Sequence, residues 1–364
     1  MLFRSHLNVL EWCHERDCPW NENTCAYAAR NGHLNVLEWC RERDCPWDED
    51  TCAYAARNGH LNVLEWCRER GCPWNEDMCC IAVEHGHWNV LQWCRENDCP
   101  WDKYTCATAA VHGRLNLLQW CRARYCPWDE YTCSSAAMNG HLNILQWCRE
   151  NDCPWDETTC SNAALFGHLN VLQWCRGRDC PWDTTTSTFA AAFDRFEILK
   201  WCRQNDCPWH AELMCLVAVK IGNLAMLQWC REQGCPWGEM TCCVAAKRGA
   251  FKMLKWCREN DCPWDAEAMC LVAAKTGYLA MLQWCREQGC PWGEMTCTVA
   301  AESGRLNILQ WARENNCPWD AEVMCLVAAN IGNLDMLLWC REQGCPWGEM
   351  TCSVVAKRGQ INIF

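Results

Sequence analysis

The stretch DEDTCAYAARNGHLNVLEWCRERGCPW, from Asp48 to Trp74, decides the fold. Its first half sets Asp48, Glu49, Asp50 and Thr51 ahead of Cys52-Ala53-Tyr54-Ala55-Ala56. A capping oxygen there satisfies orphan backbone N–H groups, and acidic side chains meet the positive end of the helix dipole. Gly59 supplies the left-handed residue that closes this helix. A second helix follows from Leu61 to Arg70, with Leu61, Leu64 and Cys67 as its apolar face between charged neighbours. Gly71 ends it, and Pro73, which has no N–H to donate, blocks its continuation. Nothing in the unit alternates with period two, so no strand is expected.

The same unit accounts for an unusual composition. Among 364 residues there are 39 Cys and 27 Trp, and all 13 Pro lie in the tripeptide Cys-Pro-Trp. The cysteines of that tripeptide, from Cys18 and Cys45 to Cys345, are spaced by 27 seven times and then alternate between 28 and 27. A helix hairpin this short cannot bury its apolar face alone, whereas stacked copies can. The expected fold is all-α, a helix-hairpin repeat solenoid of about 13 repeats covering residues 1–364 as a single array. Helices packed 8–10 Å apart would make it a curved rod on the order of 120 Å long.

A net charge of −12 argues against nucleic acid and anionic membrane as partners. No run approaches the 18 or more apolar residues of a spanning helix. The opening MLFRSHLNVLEW lacks the apolar core and cleavage site of a secretory signal. The expectation is an intracellular, cytoplasmic protein whose thiols stay reduced.

Ala55-Ala56-Arg57-Asn58-Gly59-His60-Leu61-Asn62-Val63-Leu64 resembles the ankyrin family, whose repeat carries A-A-x-x-G-H-x-x-V-V across the same turn between helices. Thr51 resembles that family's threonine at the start of the first helix, with Cys52-Ala53-Tyr54 in place of Pro-Leu-His. The family repeat is about 33 residues. The shortfall here lies mainly after the second helix, where Cys-Pro-Trp-Asp-Glu stands in for the projecting β-hairpin, so fingers are expected to be reduced or absent. The resemblance implies protein–protein recognition and no catalytic residues.

In that alignment Cys52, Cys67 and Cys72 occupy buried apolar positions, which makes them small core hydrophobes. A sharper reading remains open. The start of a first helix and the end of a second lie at the same end of a hairpin, so Cys67, Cys72 and the next Cys79 could converge to bind Zn²⁺ or Cu(I). Against it, no C-x2-C spacing occurs, and Ser187 and Ala312 each remove one cysteine. A disulfide ladder would need a secretory route. A catalytic thiol would need one activated copy rather than a dozen equivalents, so no cofactor and no enzyme activity are expected. The tryptophans, fixed in phase with the helices, are expected to pack between successive units, each indole N–H meeting a carbonyl or water. His33, His60, His87, His141 and His168 are expected to be turn-stabilising surface residues.

Specificity would lie at positions that vary between copies, on the exposed side of the first helix: the pair after its Cys and the pair before its Gly. Early repeats place Tyr27, Arg30, Tyr54, Arg57 and Glu84 there; later ones place Val111, Met138, Leu165, Phe166 and Phe193. An apolar stripe on adjacent units is what a docking groove would look like. The expected function is a non-enzymatic scaffold that binds another protein along this face.

The array also has a seam. Residues 1–182 carry a net charge of −9 with Lys103 the only lysine, and the remainder carries −3 with seven lysines. Between the 27-residue part (1–182) and the alternating 27/28 part (210–364), residues 183–209 lack both the helix cysteine (Ser187) and the turn glycine (Asp194). Both ends fall within helices and lack polar capping repeats, which leaves end-to-end self-association open.

Overall fold

The computed structural model describes residues 2–74, 77–346 and 349–357. Met1 and residues 358–364, on which the expectation of uncapped ends falls, lie outside them. Helices alternate as hairpins along the chain, and no strand occurs among the described residues.

The unit from Asp48 to Trp74 shows how the local chemistry acts. Asp48, in extended conformation, caps the first helix, Glu49–Arg57, by accepting the N–H of Asp50 at 3.1 Å. That helix closes as a Schellman motif: Gly59 adopts φ +75°, and the N–H of His60 donates to the Ala55 carbonyl at 2.9 Å. The second helix, Leu61–Glu69, closes the same way, with Gly71 at φ +72° and the N–H of Cys72 donating to Cys67 at 3.0 Å. Other units hold the left-handed conformation without glycine, as at Asp98 (φ 57°), Asp152 (φ 61°) and Tyr125 (φ 63°).

Between the two helices of each unit lies a core of small and branched side chains. Cys52, Ala55 and Ala56 of the first helix meet Val63, Leu64, Trp66 and Cys67 of the second, all buried. The expected apolar face needs a correction: Leu61 is only half-buried and Val63 is fully inside. The hairpin buries a stripe centred between Val63 and Leu64, one position further round the helix than the spacing of Leu61, Leu64 and Cys67 indicates. Burying a leucine such as Leu64 contributes about 2 kcal/mol.

First helices also stack side by side, Lys103–Val111 against Glu130–Met138, and Glu157–Phe166 against both Glu130–Met138 and Thr184–Ala192. Successive units are joined by tryptophans, with Trp47 edge-on to Trp66 at 5.9 Å between ring centroids and Trp74 edge-on to Trp93 at 5.6 Å. Arginines cover the same rings: the Arg68 guanidinium lies 4.1 Å from the Trp74 ring and that of Arg70 lies 4.4 Å from Trp66. The indole N–H of Trp39, Trp66 and Trp174 meets no acceptor among the described residues, and the rings of Trp39 and Trp66 lie against another indole and a guanidinium.

The histidines do more than hold their own turn. Nε2 of His60 lies 3.2 Å from the Arg30 carbonyl, and Nε2 of His87 lies 2.9 Å from that of Arg57, thirty residues back at the end of the preceding first helix. Two arginines at this position make the same bridge, from Arg114 to Glu84 at 2.9 Å and from Arg195 to Leu165 at 3.2 Å. The ring passes so close that a Cβ on Gly59 would lie 2.6 Å from Nδ1 of His87. This glycine is therefore fixed twice, by its positive φ and by its neighbour.

The chain divides into two compact units, Met1–Trp209 and His210–Phe364. In the first, the first helices run mostly to nine residues behind aspartate caps such as Asp48, Asp102 and Asp129. In the second, eleven-residue helices (Ala211–Ile221, Ala266–Thr276, Ala321–Ile331) alternate with nine-residue ones (Glu239–Lys247, Glu294–Glu302, Glu349–Lys357).

Candidate functional site

In most units three cysteines converge on the interior, while Ser187 and Ala312 each take one cysteine's place in their units. In the unit quoted above they are Cys52 on the first helix, Cys67 on the second and Cys72 at the corner that follows, all at 0–1% exposure. Each comes from a different element, and each element is fixed by its own cap. The aspartate cap sets the start of the first helix, the left-handed Gly71 turns the chain after the second, and Pro73 stiffens the corner. The Cys72 thiol donates to the carbonyl of Asp48 at 3.5 Å, which ties the corner to the capping residue of its own unit. Cys153 and Cys180 repeat this contact on Asp129 and Asp156 at 3.4 and 3.6 Å. Arg149 donates to the Cys153 carbonyl while its guanidinium lies over Trp155, clamping the corner from outside.

In four units the three sulfurs lie within 4.8 Å of one another: Cys52, Cys67 and Cys72; Cys133, Cys148 and Cys153; Cys160, Cys175 and Cys180; Cys242, Cys257 and Cys262. The grouping of Cys67 and Cys72 with Cys79 is thereby corrected. Cys79 meets Cys94 and Cys99 of its own unit, while Cys67 and Cys72 meet the Cys52 that precedes them. The reason is topological, because the first-helix thiol points into its own hairpin and not back towards the unit before. Within each cluster the thiols donate to one another. Hydrogen bonding among the three thiols holds one of them well below the usual thiol range, Cys52 in this unit and Cys262 in the triad with Cys242 and Cys257; Arg68 adds to the effect at Cys52 and burial opposes it. Cys133 and Cys160 are held down in the same way, by their own thiol partners first and by Arg149 and Arg176 after. Cys67 and Cys72 are pushed up, by the Cys52 thiol first. No disulfide joins any of the described cysteines.

On the outer side the candidate recognition residues fall as follows. Tyr27 is 55% exposed, and Arg30, Arg57 and Glu84 are exposed at the ends of their helices. Tyr54 is half-buried, with the Arg30 and Arg57 guanidinium groups 5.8 and 5.9 Å from its ring. Val111, Met138 and Leu165 are half-buried, while Phe166 and Phe193 are exposed at 44% and 54%. The pair after the cysteine is a poorer choice than the pair before the glycine. Ser134 and Ser135 are both buried, as are Ala107 and Ser161, because the stacked first helices close over those positions.

A second exposed row escaped the sequence reading. The residue two before the first-helix cysteine is exposed in both compact units, as Tyr104 and Tyr131 in one and Leu213, Met240 and Met295 in the other. Tyr104 and Tyr131 touch edge-on at 6.1 Å. The available signal was variation at this position between copies, and a methionine there passes for core.

Together these observations define the class: an all-α helix-hairpin repeat array, ankyrin-like in its unit, with a cysteine-lined interior and a variable outer face. No protein-family model matches the chain, and no curated protein matches it. Among solved structures it is similar to the human ASB11 ankyrin repeat domain, at 12% identity and a TM-score of 0.36 over 43% of this chain and 84% of that one. The resemblance to ankyrin repeats rests on the sequence of the unit, on its A-A-x-x-G-H turn. No helix of the described residues is long and apolar enough to cross a membrane.

Proposed function

We propose that the chain is a non-enzymatic scaffold that binds a partner protein along the outer face of its first helices. The observation that carries this reading is the row Val111, Met138, Leu165, Phe166 and Phe193, apolar side chains at the same turn of consecutive stacked helices, each at least partly open to solvent. Rows of this kind on adjacent elements mark contact surfaces, whereas single exposed apolar residues do not. The chemistry-bearing residues recur unit by unit rather than forming one singular constellation, which suits architecture and not catalysis. The net charge of −12 favours a protein partner over nucleic acid.

The test is affinity purification with the whole chain as bait, read by mass spectrometry, beside the double variant Leu165→Ala and Phe166→Ala. The variant should keep the helical circular dichroism and the urea midpoint of the parent and lose at least tenfold of the captured partner. Equal capture by both chains would overturn the assignment of this face.

A further inference from the structure

We propose that the compact cysteine triads bind copper(I), one ion per triad, held by three sulfurs in trigonal coordination.

The donor set comes first. Each triad offers three sulfurs and no carboxylate or imidazole. Soft thiolate donors select Cu(I), Zn²⁺ or iron–sulfur clusters over hard cations. Zn²⁺ in a closed protein site takes four ligands in a tetrahedron, which three thiols sealed from solvent do not complete. Monovalent copper is satisfied by three sulfurs in a plane, and it also brings less charge into a low-dielectric interior.

The geometry agrees. A three-coordinate ion with metal–sulfur bonds of about 2.3 Å, the length found for thiolate on a d¹⁰ ion, sets its ligands about 4 Å apart. The triads hold their sulfurs within 4.8 Å already, so closure asks for movements of less than an ångström. The three parent elements are each pinned by a cap, a left-handed turn or a proline, which is the preorganisation a metal site needs. Arg149 and Arg176 donate to the carbonyls of Cys153 and Cys180, which sets a cation at the corner of two of these triads. Binding transfers no electron: the ion stays monovalent, each thiol that becomes a ligand gives its proton to solvent, and a reducing milieu keeps both partners in that state.

The array does not need the sulfur at every position in order to fold. Ala312 takes the second-helix cysteine's place in its unit and is buried as completely as Cys67 or Cys148. A unit therefore folds without the sulfur at this position, and the four compact triads, which keep it, hold it available as a ligand. Ser187 makes the same point on the first helix, buried and donating to the carbonyl of Pro208 at 2.7 Å.

The full chain, reduced and metal-free, is titrated anaerobically with Cu(I) in competition with bathocuproine disulfonate. It should withdraw at least four equivalents, one for each compact triad, and X-ray absorption should show a shell of three sulfurs without nitrogen or oxygen. The variant Cys67→Ala, Cys148→Ala, Cys175→Ala and Cys257→Ala, which copies Ala312 in all four units, should keep its helical signal and withdraw four equivalents fewer. If that variant fails to fold, Cys52→Ser, Cys133→Ser, Cys160→Ser and Cys242→Ser, which copy Ser187, should show the same loss. Withdrawal of less than one equivalent by the parent chain, unchanged withdrawal by the folded variant, a mixed sulfur–nitrogen shell, or displacement of bound copper by equimolar Zn²⁺ would each overturn the proposal.

Discussion

The two compact units solve the same packing problem with different first helices. In Met1–Trp209 the residue before the first-helix cysteine is mostly threonine, fully buried, and Oγ1 of Thr51, Thr132, Thr159 and Thr186 has no hydrogen-bond partner among the described residues. In His210–Phe364 every other unit carries one more residue ahead of the cysteine, and the buried position is then methionine: Met214, Met269 and Met324. The cap changes with it. Asp265 accepts from both Glu267 and Ala268 at 3.0 Å, while the shorter units between begin at glycine, with the N–H of Gly238 donating to Oγ1 of Thr241 at 3.4 Å. One inserted residue is thus absorbed by lengthening a helix at its start, and the hydroxyl that lacked a partner is replaced by a thioether that needs none. The hairpin tolerates a change in period because the corner, the second helix and the turn between the helices stay the same.

The strongest challenge to this comparison is cleavage of the chain. Limited proteolysis should cut first within residues 183–209, where the unit lacks both the helix cysteine and the turn glycine, and release two fragments that each keep helical structure. Cuts confined to the ends would refute the seam.

A smaller effect separates the turns of the two units. Gly59→Ala meets both a positive φ and the His87 ring and should cost about 2–3 kcal/mol, whereas Gly222→Ala meets only the backbone term and should cost about 1 kcal/mol. Urea unfolding of both variants measures the difference, and adding His87→Ala should bring the Gly59 variant close to the Gly222 one if the ring is the cause. Equal costs in the two single variants would remove the neighbour from the account.

The smallest effect runs the other way. Tyr125, 90% exposed at φ 63°, holds a place that Gly71 fills elsewhere, so Tyr125→Gly should raise stability by about 1 kcal/mol. A neutral or lowered urea midpoint would show that the side chain is held by something besides its backbone.

Much of the fold was legible because each unit announces its own boundaries. Asp48, Gly59, Gly71 and Pro73 act within a few residues of themselves, and local chemistry of that range can be read from spacing. The burial of Cys52, Cys67 and Cys72 was legible for the same reason, being a matter of which face of a helix they occupy. What failed was the choice between neighbours. Whether Cys67 and Cys72 meet Cys52 or Cys79 depends on which hairpin a side chain enters, and separation along the chain favours Cys79, the one they do not meet. The partner of His60 was equally out of reach, since a carbonyl thirty residues back leaves no mark on the side chain of Arg30. The exposed Met240 and Met295 were missed because an apolar residue beside a buried helix position carries no sign of its own exposure.

The histidine bridge has a consequence for how such a chain can change over generations. Within Met1–Trp209, successive units from Glu22 onward offer a carbonyl and a glycine to the unit after and extend a histidine or arginine to the unit before, so both halves of the joint travel within one period. An in-frame gain or loss of a whole period leaves matched halves facing each other on either side of the event. Array length is therefore free to drift without any new contact having to arise, while an insertion that is not a whole period must be absorbed where the structure absorbs it, at the start of a first helix.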